Sequence, residues 1–198
     1  MNSNNTSKNI ANAFSVVMET YDSVQKLISF LLTQAKEREE YISCSERFLR
    51  WKSDQNIYGW AIRSFILVFQ STSDPELDNE WRDGPLYVLE IILQNDDYEE
   101  PVVLLARYDY SDLCKWSSGG LSPGNYTTFW EPLHNWGGCM DYTGNDIIYD
   151  GVLSDKTKED KYWGIQRIRG TTIPLVDITP ENACEKVFGG FDKLSIIK

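Results

Sequence analysis

Histidine is almost missing from this chain: His134 is the only one among 198 residues, so any imidazole acid or base would have to be that side chain. Cysteine is equally sparse, with Cys44, Cys114, Cys139 and Cys184 far apart and no C-x-x-C pair. A structural zinc site needs four close thiolate or imidazole ligands, so metal binding is not expected, and the cysteines are read as reduced thiols. The glycine-rich devices that cradle phosphates, G-x-x-x-x-G-K-[ST] and G-x-G-x-x-G, do not occur, nor does the G-x-S-x-G of a serine hydrolase. The acidic stretches at 74–83 and 141–155 lack the twelve-residue calcium-loop spacing. No cofactor is therefore expected.

Long apolar runs are absent as well. Segments such as 65–69 and 102–106 fall far short of the roughly 20 residues that span a bilayer. The opening residues MNSNNTSKNIANAF have no charged region followed by an apolar one, so a cytoplasmic location is expected. Positive charge is in short supply: 19 Lys and Arg stand against 30 Asp and Glu, a formal net charge of −11. Such a surface repels nucleic-acid phosphate and anionic lipid, which leaves a protein partner, a basic one foremost, as the expected ligand class.

What is plentiful is hydrophobic and aromatic surface. At 41% hydrophobic residues and seven Trp, the chain can bury a core without disulfide or metal support. One domain, 1–198, is expected, with residues 1–9 as a flexible N-terminal tail. From Ile10 to about Glu40, Phe14, Val17, Tyr21, Val24, Ile28, Leu31 and Ala35 alternate spacings of three and four, which predicts a long amphipathic helix. Met18, Leu27 and Leu32 widen the stripe, which favours packing on a sheet over a two-stranded coiled coil; a homodimer through this helix is the alternative.

Residues 60–70, 85–94 and 101–110 are rich in β-branched, aromatic and leucine side chains between turn-forming clusters, and predict three consecutive antiparallel strands. Alternation puts Tyr87, Leu89, Ile91 and Leu93 on one face and Leu86, Val88, Glu90 and Ile92 on the other, so both faces are expected to be covered. Residues 111–160 have no sustained period and read as a long irregular, aromatic-rich excursion. Residues 162–170 and 171–179 predict two further strands joined near Gly170. Thr179-Pro180-Glu181 then starts a short C-terminal helix that ends at Gly189-Gly190. The expected fold class is α+β: a long N-terminal helix on a mainly antiparallel sheet of about five strands, with the excursion and a short C-terminal helix.

Two groups of residues are candidates for function. Trp116, Trp130, His134 and Trp136, beside glycines in the excursion, offer flat apolar surface for a partner; the bland reading is a small core that anchors a long loop. Glu90, Arg107, Asp109 and His134 are polar groups set in or near apolar strands and are the candidate catalytic set, although a structural ion pair or edge exposure is the favoured reading of the strand residues, since nothing in their spacing adds a nucleophile or a general base. The expected function is a non-catalytic, acidic protein-binding module of immunity, chaperone or adaptor type. An enzyme with its site near His134 is the alternative, to be recognised by a cavity with a carboxylate in hydrogen-bond reach of the imidazole.

Overall fold

The computed structural model describes residues 3–144, 148–155 and 159–196. A single seven-stranded sheet runs through it, every neighbouring pair antiparallel. In chain order the elements are helix α1 (Ser3–Arg38), strands β1 (Tyr41–Ser43), β2 (Ser64–Ser71), β3 (Leu86–Ile92) and β4 (Val102–Tyr110), helix α2 (Tyr126–Leu133), strands β5 (Met140–Gly144), β6 (Ile148–Leu153) and β7 (Ile165–Pro174), and helix α3 (Ala183–Ile196). Their order across the sheet is β1-β2-β3-β4-β7-β6-β5, so the returning strand β7 docks on β4 and the β5–β6 hairpin extends the edge beyond it.

The predicted meander is present as β2, β3 and β4. Every residue of β3 is buried, because material covers both faces of the central strands. One face carries Phe65, Leu67, Phe69, Tyr87, Leu89, Ile91, Val103 and Leu105, packed against Val24, Ile28, Leu31 and Ala35 of α1 and Val187, Phe188, Phe191 and Leu194 of α3. The opposite face carries Ile66, Val68, Leu86, Val88, Ile92, Leu104, Ala106 and Tyr108, and what covers it is the excursion, through Leu121, Tyr126, Phe129 and Leu133.

Four expectations need correction. The sheet has seven strands, not about five: the short β1 and the β5–β6 hairpin are additional, and the two strands predicted on either side of Gly170 are one continuous strand, β7. The excursion is not irregular, since it contains α2 and that hairpin. The hairpin strands are mostly exposed or half-exposed and carry few aliphatic residues; their packing uses tyrosine laid over glycine, Tyr142 on Gly151 and Tyr149 on Gly170, where any Cβ would strike the ring.

The helix α1 begins at Ser3, seven residues ahead of the expected start at Ile10, there being no Pro or Gly before Arg38 to stop it. At 36 residues it is about 54 Å long, whereas the eight residues of β2 span about 26 Å. The apolar stripe is thus buried only from Val24 onward, and Ile10, Phe14, Val17 and Met18 lie beyond the sheet and are exposed. Finally, α3 starts at Ala183 and runs through Gly189 and Gly190 to Ile196. A Cβ at Gly190 would meet the Leu105 side chain on β4, so that glycine permits close helix–sheet approach instead of ending the helix.

Among the described residues no helix is long and apolar enough to cross a membrane.

Candidate functional site

Glu90 sits in the middle of β3, paired in register with Ile66 and Leu104, and is fully buried. A carboxylate there has to be satisfied by protein groups. Its Oε1 accepts a hydrogen bond from the Ser64 hydroxyl of the neighbouring strand, and its Oε2 lies 2.7 Å from His134 Nε2. The Tyr126 hydroxyl stands 3.1 Å from Ser64 Oγ and completes the polar chain. Burial alone would lower the His134 pKa, but the adjacent Glu90 charge and hydrogen bond, with a smaller contribution from Asp97, raise it above its ordinary value.

Helix α2 delivers His134 to this place. The Tyr108 hydroxyl donates to the Phe129 carbonyl at 2.8 Å and Tyr142 to the Pro132 carbonyl at 3.0 Å, while Glu131 accepts from Lys161 at 2.6 Å and Tyr162 at 2.9 Å. His134 caps the helix, its amide donating to Trp130 O. One turn apart on the helix, the Trp130 and His134 rings stack at 4.8 Å. Asn135 then takes a left-handed conformation, φ 50°, and Gly137 and Gly138 follow with positive φ. This reversal sets the Trp136 ring 5.6 Å from that of Trp130, with 61% of Trp136 left exposed.

The sequence candidates are therefore regrouped. Trp130, His134 and Trp136 form one continuous aromatic platform resting on Glu90. Trp116 belongs elsewhere: it packs edge-to-face with Trp81 at 5.0 Å, Tyr110 at 4.8 Å and Trp163 at 4.9 Å. Of the four polar candidates, Glu90 and His134 meet, while Arg107 and Asp109 occupy the opposite face of the sheet. The register decides this, because Leu104 faces Glu90 directly and residues 105, 107 and 109 alternate to the other side. There Asp109 bridges Arg107 and Arg169, each at 2.8 Å, and Arg107 also donates to the Ser195 carbonyl at the end of α3. That is a fold-closing ion-pair cluster.

Ser64, Glu90, Tyr126, Trp130 and His134 line a small cleft together with Trp51 and Tyr58, whose residues remain substantially exposed. Its volume is about 70 Å³, room for a few waters and well under the roughly 300 Å³ at which ligand pockets begin. The chain of hydrogen bonds also runs in the wrong order for a nucleophile. The carboxylate lies between hydroxyl and imidazole, whereas a hydrolytic triad puts the imidazole between hydroxyl and carboxylate. Among the described residues no group of three His, Cys, Asp or Glu side chains could hold a metal ion.

No protein-family model, curated protein or solved structure matches this chain.

Sequence reading missed Ser64, Tyr126, Trp51 and Tyr58, the other walls of the cleft, and Trp81 and Trp163, which surround Trp116. Serine and tyrosine inside or beside apolar strands carry no signal until their partners are known. Trp163 has a left-handed backbone, φ 59°, uncommon for any residue except glycine, and nothing in its neighbours announces that.

Proposed function

We propose that this protein is a non-catalytic module that binds another protein through the aromatic cleft at the end of α2. The observation that carries the reading is the platform of Trp136 on Trp130 on His134, with Trp136 exposed at one end and His134 held at the other by the buried Glu90. Tryptophan and tyrosine dominate interfaces because they bring large area with little entropy to lose. Exposed Trp51 and Tyr58 across the cleft extend the same surface, and clustered apolar exposure of this kind is uncommon on a surface with no partner.

The chemistry of the partner is suggested by the neighbouring turn. Asp96, Asp97, Glu99 and Glu100 are exposed in the β3–β4 connection, beside Gln94 and Asn95, which also line the cleft. An apolar anchor flanked by carboxylates suits a partner with an aliphatic or aromatic knob ringed by lysine or arginine.

The test uses capture of partners from native host lysate by the immobilised chain, with each captured protein then titrated in purified form. Trp136→Ala is expected to weaken binding by about 2 kcal/mol or more while leaving the thermal midpoint unchanged. Val176→Ala, at an exposed apolar residue outside the platform and the cleft, is expected to change neither. Unchanged affinity in Trp136→Ala, and in Tyr58→Ala, would refute the reading.

A further inference from the structure

A second recess lies around Trp116, away from the cleft, and its walls differ in kind. Trp81, Trp116 and Trp163 line a groove of about 360 Å³, with Asp112, Glu159 and Asp160 on the same lining and Lys115 as the one cation among the described residues there. This volume is within the range of small-ligand pockets, unlike the space beside Glu90.

The indoles are fixed by their own hydrogen bonds. Trp81 Nε1 donates to the Ser117 carbonyl at 3.0 Å and Trp116 Nε1 to the Trp163 carbonyl at 2.9 Å. Trp81 is buried, 4% exposed, whereas Trp116 and Trp163 are half-buried; with the Trp116 N–H engaged inside the wall, what its ring has to offer an incoming group is π surface, whose quadrupole attracts cations. The carboxylates add charge of the same preference. Asp112 accepts from the Cys114 amide at 3.0 Å and pairs with Lys115 at 3.2 Å, and that pairing holds its carboxyl below the usual range, so it stays ionised. Glu159 accepts from Gln166 at 3.0 Å. Three carboxylates against one ammonium leave the described lining net negative by two.

We propose that this groove binds an organic cation, the ammonium or guanidinium head of a lysine or arginine side chain presented by a polypeptide. Three indole walls with carboxylates beside them offer a cation both of its favourable environments, a π face and an ion pair. An anion would be repelled by three carboxylates, and an uncharged apolar group would draw nothing from their charge.

The test is a titration of the full chain followed by its indole N–H resonances, assigned by single Trp→Phe substitutions. The probes are N-acetyl-arginine amide, N-acetyl-lysine amide, choline, and the uncharged N-acetyl-norleucine amide. Saturable shifts at Trp81, Trp116 and Trp163, with Trp51 and Trp136 unmoved, are expected for the cationic amides at about 1–10 mM, weakening with added salt. Because Trp116→Ala could disturb folding, the deciding variants are Glu159→Gln and Asp112→Asn, each expected to weaken binding about two- to fivefold. Choline binding in place of the two cationic amides would retain the cation and overturn its assignment to a side chain. Equal binding of norleucine amide, or no shift with any cation, would overturn the proposal outright. None of these outcomes depends on Trp136, so the fate of the α2 cleft is decided separately.

Discussion

At the scale of single residues, the buried Glu90–His134 pair is the most consequential feature, because it joins the excursion to the middle of the sheet across 44 positions of sequence. Removing one partner of a buried pair strands the other: His134→Ala is expected to cost about 3–5 kcal/mol in urea unfolding, since Glu90 would keep only Ser64. A titration should accompany this. The His134 pKa in the folded protein lies above its ordinary 6.5, so the folded state holds the proton more tightly than the unfolded one. The stabilisation that follows is fully present below the unfolded pKa and is lost as pH rises through the raised folded pKa. The unfolding free-energy difference between wild type and His134→Gln should accordingly be larger at about pH 6 than at about pH 8.5; a difference that grows with pH would show that the imidazole is held neutral. Both residues were visible in the sequence as polar groups needing a partner. Their meeting was not, because it depends on where α2 crosses the sheet, and no local spacing encodes that.

At the scale of elements, legibility followed the strength of the hydrophobic period. The three-and-four spacing of α1 and the apolar runs of β2, β3 and β4 were readable because burial of those faces dominates their energetics. The hairpin β5–β6 was not, since Tyr142 and Tyr149 cover glycines of neighbouring strands and replace the aliphatic alternation that marks a strand. Gly189-Gly190 misled for a related reason: a glycine that admits Leu105 looks in sequence like one that ends a helix. The helix α1 itself supplies a quantitative check on what period alone can tell. Leu31 is fully buried and Phe14 is 68% exposed, although both stand on the same stripe. Leu31→Asp is expected to destabilise by several kcal/mol by placing an unpaired charge in the core, whereas Phe14→Asp should stay within about 0.5 kcal/mol of wild type in dilute solution. Equal losses would mean that the N-terminal half of α1 is covered, contrary to the structure.

At the scale of the whole molecule, the proposed binding function assigns charge and aromatic surface different roles. The net charge of −11 is concentrated in connections: the β2–β3 segment exposes Glu76, Asp78, Glu80 and Asp83, and the β3–β4 segment exposes Asp96, Asp97, Glu99 and Glu100. Charges on exposed loops are screened and add little to a docked complex, but their summed field acts on a partner still diffusing toward it. The aromatic platform is the reverse, since in the proposed complex Trp130 and Trp136 would act only at contact. The two contributions should therefore separate in kinetics with a purified partner of basic surface. Raising ionic strength from about 0.02 to about 0.5 M is expected to lower the association rate constant on the order of tenfold or more and to leave the dissociation rate nearly constant. Trp136→Ala should do the opposite, raising the dissociation rate with little effect on association. Replacing Asp96, Asp97, Glu99 and Glu100 together by Asn and Gln should flatten the salt dependence without touching dissociation, because none of these side chains lines the cleft. A salt-independent association rate in the wild type would show that the acidic turn has no part in recognition, leaving shape and apolar contact at Trp51, Tyr58, Trp130 and Trp136 as the whole basis of binding.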